Sequence, residues 1–176
     1  MISVNGNFYV TQALFKGAEQ ESIENDIVEP KLFDITSDQM MLPVSVKLGK
    51  TVTLPKNESA RINVGITAYV EPNRHDECYQ AILDQVRAWL NYESAAFKGD
   101  AVRPDFNMSF NTPLLLIWLD YGITINVGDY RFAKADVGRT IPCSSTNLAQ
   151  SIAELDAWME AKIGERVDAI HAAYRR

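Results

Sequence analysis

Cysteine and histidine are both scarce in this chain, with two of each in 176 residues. Cys78 and Cys143 are too few for a disulfide framework, which makes a reducing compartment the default. His75 and His171 are the only histidines on which a nucleophilic triad could rest, and His171 falls near the end of the last predicted helix. No G-x-S-x-G elbow, phosphate-cradling glycine loop or dinucleotide fingerprint occurs. Long apolar runs are also missing. The longest is Leu114-Leu115-Leu116-Ile117-Trp118-Leu119, far short of the roughly 20 residues that a membrane span requires. The first residues, Met1-Ile2-Ser3-Val4-Asn5-Gly6, lack the basic start and apolar centre of a secretion signal. These absences predict a cytoplasmic protein with no membrane association, no cofactor and no catalytic residues.

Only His75-Asp76-Glu77-Cys78 resembles a set of metal ligands. A zinc site would need His75 and Cys78 to converge with Cys143 and His171. No C-x-x-C or H-x-x-x-H spacing supports that, so no metal is expected. Asp and Glu are plentiful, but nothing in the sequence singles out a pair for acid–base work.

What is present is an ordinary globular composition, 47% hydrophobic and 23% charged, with a net charge of −6. That balance argues against a generally basic nucleic-acid coat and leaves room for a local basic patch. The charge is segregated. Residues 1–43 hold Lys16 and Lys31 against Glu19, Glu21, Glu24, Asp26, Glu29, Asp34 and Asp38. Residues 44–72 hold Lys47, Lys50, Lys56 and Arg61 against Glu58 and Glu71.

An internal repeat organises the rest. Shifted by 73 positions, the segment from Thr51 to Thr67 falls on Thr124 to Thr140, with identities at Thr51/Thr124, Ala60/Ala133, Val64/Val137, Gly65/Gly138 and Thr67/Thr140. Beyond it the best match shifts by about four, placing Ala88-Trp89 on Ala157-Trp158. Each copy alternates apolar and polar residues through two strands. Val44, Val46, Leu48, Val52 and Leu54 face one way, and Ala60, Ile62, Val64, Ile66 and Ala68 return on the same side. A helix follows, with Asn73 or the Ser144-Ser145-Thr146-Asn147 cluster as N-cap. Gly65 and Gly138 fall on the outward side of their strands, where glycine marks a bulge or close packing. The second helix carries an apolar stripe from Leu148 to Tyr174, long enough to outrun the core, with Gly164 as a weak point.

The predicted fold is α+β, with two pseudo-repeated ββα units sharing an antiparallel sheet and both helices on one side. The expected divisions are an acidic segment with one strand (Ile2–Val10) over 1–43, a first repeat over 44–98, a linker over 99–113 and a second repeat over 114–176. The Leu114–Leu119 run has no polar face. It should be covered on both sides, by the N-terminal segment or by another subunit, which makes a homo-oligomer an expected state.

Thr51-Val52-Thr53-Leu54-Pro55-Lys56-Asn57-Glu58-Ser59, followed by Ile62-Asn63-Val64-Gly65 and a helix, resembles small uncharacterised tailed-phage proteins encoded among replication and recombination genes. The resemblance covers the repeats, somewhat over half the chain, and leaves out the first 43 residues. It implies a viral origin, hence a host cytoplasm, and a DNA-metabolism context, and it transfers no functional residue.

Two functions are expected from these readings. In the first, a non-enzymatic protein binds single-stranded nucleic acid on its hairpins. Lys47, Lys50, Arg61, Arg131 and Lys134 would neutralise phosphates, with Tyr69 and Tyr130 as stacking platforms. In the second, a protein-binding inhibitor or adaptor, such as an anti-defence protein, meets a basic host or phage partner through Glu19, Glu21, Glu24, Asp26, Glu29, Asp34 and Asp38.

Overall fold

The computed structural model of the chain describes residues 6–16, 19–29, 41–112 and 114–174. Six strands and two α-helices follow one another as β1 (Gly6–Lys16), β2 (Glu19–Glu29), β3 (Leu42–Thr53), β4 (Ser59–Val70), α1 (His75–Ala96), β5 (Leu115–Gly128), β6 (Arg131–Cys143) and α2 (Leu148–Tyr174). The strands form a single sheet in the order β2-β1-β6-β5-β4-β3. Every neighbouring pair is antiparallel. The chain is therefore α+β with an antiparallel sheet and two helices.

Strict alternation builds the core. Cross-strand partners share a side of a sheet, and Val46, Ile66, Ile117 and Ile141 stand in one row across four strands. Ile62, Val64 and Ile66 of β4 and Leu115, Ile117 and Leu119 of β5 are fully buried. They join Ile82, Val86 and Trp89 of α1 and Ile152, Leu155 and Met159 of α2 in one cluster. Both helices thus cover the same side of the sheet, α1 over β3 and β4, α2 over β5 and β6.

Four expectations need correction. The acidic N-terminal segment holds more than the one strand expected over Ile2–Val10. It contains a two-stranded hairpin, β1–β2, added to the sheet through β6, and Glu19–Glu29 is its edge strand. The presumed linker is also part of the core. Phe106, Met108 and Phe110 are buried, Gln85 Nε2 donates to the Asn107 carbonyl at 3.0 Å, and the Arg74 guanidinium sits 4.1 Å over the Phe110 ring. The segment runs back along α1 and reaches α2 through Arg103 and Asp156. Its turn-rich composition masked three apolar residues at spacing two, the pattern of an extended buried segment.

Nor does α2 outrun the core. Ile163, Val167, Ile170 and Tyr174 pack with Ala60, Ile123, Ile125, Ala133 and Ala135, because the 14- and 13-residue strands β5 and β6 reach beneath the helix end. Gly164 lies within the unbroken helix. Finally, the four-residue contraction is absent. The 3₁₀ turns Pro72–Arg74 and Ser145–Asn147, each leading straight into its helix, stand 73 residues apart. A four-residue slip is close to one helical turn and preserves an apolar stripe, so a sequence match tolerates it. Trp89 and Trp158 are accordingly not equivalent: Trp89 is fully buried, while Trp158 is partly buried with Arg139 5.2 Å from its ring.

Local turn chemistry fixes the hairpins. Each reverses through two consecutive left-handed residues, Lys56 and Asn57 (φ 60° and 59°) and Asp129 and Tyr130 (φ 53° and 59°), the signs that a type I′ turn requires. Ser144 and Asn147 form a reciprocal capping box at the second helix entrance, as the sequence suggests. At the first, Asn73 lies inside the 3₁₀ turn and α1 has no side-chain cap.

Candidate functional site

No described element packs on the side of the sheet opposite the helices. That open side carries the odd-numbered residues of β3 and β4 and the even-numbered residues of β5 and β6, by the registers above. Its surface is flat for a specific reason. A Cβ at Gly65 would lie 1.9 Å from Cζ2 of Trp118, one at Gly49 2.2 Å from Oδ1 of Asn63, and one at Gly122 2.5 Å from Oδ1 of Asp136. Each glycine therefore gives up its side chain so that a neighbour on the next strand can lie across it. Trp118 lies over Gly65, and Asn63, lying over Gly49, donates its Nδ2 to Asp120 Oδ1 at 2.6 Å. Ser45 and Thr67 share a hydroxyl hydrogen bond of 2.7 Å on the same side.

The space above Gly65 is thus filled by an indole, the close packing that glycine at this position suggests. No described element supplies the cover expected on the second side of Leu114–Leu119. Leu114, Leu115, Ile117 and Leu119 are buried, whereas Leu116 and Trp118 are half-buried on the open side, Trp118 by lying across Gly65.

The predicted cations spread widely over this framework. Lys47, Arg61 and Lys134 are exposed and share the open side. They stand on β3, β4 and β6 in different rows; by strand and residue spacings Arg61 is roughly 12–14 Å from each of the other two, and Lys47 and Lys134 are about 25 Å apart. Asp120 and Asp136 lie between them on that side. Lys47 pairs in register with Gly65, which pairs with Trp118, so a lysine and an indole flank one glycine. Lys50 belongs to the helix side, where it lines a cavity of about 210 Å³ with Asn91 and Lys98. Arg131 is only 14% exposed and pairs with Asp129 at 3.5 Å. Tyr130 is fully exposed at the tip of the β5–β6 hairpin. Tyr69 is half-buried and lines a cavity of about 120 Å³ with Arg74, Phe110 and Thr112. By register Tyr69 shares the open side with Lys47 and Arg61, near the end of β4, whereas Tyr130 and Arg131 stand at the β5–β6 hairpin and are not brought together with them. Of the acidic partner-binding set, Glu19, Glu21, Glu24, Asp26 and Glu29 fall on the edge strand β2; Asp34 and Asp38 lie outside the described residues.

A second polar feature lies under the helices, and nothing in the sequence paired its members. Glu93 of α1 and Asp156 of α2 are both buried. Glu93 accepts from Trp89 Nε1 at 2.8 Å and from the Tyr121 hydroxyl. Asp156 accepts from Arg103 Nη2 at 3.1 Å through Oδ2, while its buried Oδ1 finds no donor. Burial first, then the hydrogen bond and charge of Glu93, push the Asp156 carboxyl up to about 9, against a lowering by Arg103. Burial and Glu93 likewise raise Tyr121. The adjoining cavity of about 130 Å³ is lined by Ala96, Phe97, Tyr121, Glu160 and Ile163, and by neither carboxyl. The pair is therefore a buried brace: through Arg103, which also donates to the Tyr92 hydroxyl at 3.4 Å, it ties segment 99–112 to both helices.

Among the described residues, no group of three or more His, Cys, Asp or Glu is arranged to hold a metal ion. Cys78 and Cys143 are free and buried, and burial pushes their thiols up to about 11 and about 12, which keeps them unreactive near neutral pH. No described helix is long and apolar enough to cross a membrane.

No protein-family model matches the chain, and neither does any curated protein or solved structure. The reading of function rests on the geometry.

Proposed function

We propose that the protein is a non-enzymatic, phage-type binding protein that takes single-stranded nucleic acid on the open side of its sheet. One observation carries this reading: Trp118 lies flat across Gly65, half-buried on an uncovered face, with Lys47 on the far side of the same glycine. A flat aromatic with a nearby cation suits a base stacked on its ring and a phosphate beside it. Arg61 and Lys134 extend the cationic set along the face, while Asp120, held by Asn63, and Asp136 limit its strength. Moderate, strongly salt-dependent affinity is expected. The phage resemblance of the repeats supports the same context. We further read the two hairpin–helix runs as diverged copies, supported by the left-handed turn pairs and the 3₁₀ turns that recur at one spacing.

Fluorescence anisotropy with labelled single- and double-stranded oligomers at two salt concentrations tests the proposal. Single-strand binding should weaken with salt, and combined Lys47→Ala, Arg61→Ala and Lys134→Ala should abolish most of it. Binding that ignores these substitutions, or no binding at low salt, sinks the reading. A protein-binding inhibitor or adaptor is the second reading, favoured by the edge position of the acidic strand β2, where a basic strand could add to the sheet. Retained partner affinity after loss of residues 1–41 would count against it.

A further inference from the structure

The two edges of the sheet are formed by strands of opposite charge. Glu19–Glu29 at one edge holds five acidic residues and no basic one, and Leu42–Thr53 at the other holds Lys47 and Lys50 and no acidic one. Among the described residues neither outer edge has a pairing partner. An unpaired strand edge is a template for another strand.

We propose that copies of this chain associate edge to edge, with β2 of one copy pairing antiparallel to β3 of the next. Three features agree on this arrangement. The first is parity. Six strands alternate in direction across the sheet, so the two edge strands run oppositely, and the next copy continues the antiparallel sheet with its helices on the same side.

The second is register. Setting Lys47 opposite Glu24 also sets Lys50 opposite Glu21, and it aligns the whole of β2, Glu19 to Glu29, with residues 42–52 of β3. The same register places Val44 opposite Ile27 and Leu48 opposite Ile23. It also joins like sides of the two sheets. Following the pairs Lys50–Ile62, Ile62–Tyr121, Tyr121–Val137, Val137–Val10 and Val10–Asn25 shows that position 50 shares its side with positions 25 and 21.

The third is charge. A two-fold contact of β3 with β3 would set lysines near lysines, and one of β2 with β2 would set acids near acids; like charges opposite one another destabilise a sheet. Only the unlike edges attract. Such a head-to-tail contact is heterologous, so it yields a ring if the rotation closes and an open fibre if it does not.

Sedimentation velocity over a range of protein concentration and salt, without nucleic acid, tests this independently of the binding function. The wild type should assemble with rising concentration and dissociate as salt screens the facing charges. Lys47→Glu with Lys50→Glu should weaken self-association by roughly tenfold or more, as should Glu21→Lys with Glu24→Lys at the opposite edge. Mixing the two variants should restore a complex, now of mixed composition, because each then presents one edge that suits the other. Circular dichroism identifies any variant that has lost its fold, leaving the other edge's variant to decide. A wild type that stays monomeric at low salt and high concentration overturns the proposal, and so do folded edge variants that assemble like the wild type.

Discussion

On the helix side of the sheet, Ile62, Val64 and Ile66 stand up into a core and are fully buried. On the other side of the same strands, Trp118, Asn63 and Asp136 lie down over Gly65, Gly49 and Gly122. The first side gains stability by removing large apolar side chains from water, each worth roughly 1.5–3 kcal/mol. The second forgoes three side chains to let neighbours lie flat, and so keeps a level surface that no described element covers. Glycine in these strands is therefore not a defect of pairing, since the ladders run unbroken through positions 49, 65 and 122. It is the means by which one sheet carries a packed side and a planar side.

The largest effect should come from the packed side. Ile66→Ala opens space in the centre of the core and should cost about 2–5 kcal/mol, read as a lower denaturation midpoint with an unchanged slope. On the planar side, Gly65→Val drives a side chain into the Trp118 ring. It should cost about 1–3 kcal/mol and expose the indole, seen as a red shift in tryptophan emission. If Gly65→Val left both stability and emission unchanged, the account of the flat side would fail.

The buried acid pair sharpens the packed side by pH. Asp156 is held up to about 9 in the fold against roughly 4 in an unfolded chain, so the folded state binds more protons between those values. Stability should be fullest below about pH 4 as far as this group is concerned, and should fall as pH climbs towards 9. Asp156→Asn should flatten that slope in denaturation measured from pH 5 to 9; an equally steep variant would show that other groups set it. Glu93, Tyr121, Glu160 and Arg103 are the groups that act on Asp156 or share its network. The smallest effect belongs to Gly122→Ala. Its Cβ crowds the end of the Asp136 carboxylate and makes ordinary contact with the Arg61 Cβ, so a small shift of one exposed side chain relieves it and the expected change is within about 1 kcal/mol.

Much of the packed side was legible because period-two alternation marks β3–β6 and period-3.6 stripes mark both helices. The helix register was not, since a slip of one turn leaves the stripe intact and let Trp158 stand in for Trp89. The acid pair hid in the same way: Glu93 and Asp156 lie on different helices, and their meeting is a tertiary event. A signal did exist, because Glu93 follows Trp89 by four residues and Asp156 follows Ile152 by four, which puts both acids in apolar stripes. In the sequence Trp118 is only one residue of an apolar run, since the role of Gly65 depends on a neighbour brought there by pairing.

Ultraviolet cross-linking of an unmodified oligothymidine strand, followed by peptide mapping, distinguishes the open side of the sheet from every other surface. Cross-links concentrated on β5 around Trp118 and on the adjoining β3 and β4 peptides are the predicted result. Cross-links confined to the helices, or none at low salt, would contradict the assignment of the open side as the binding surface.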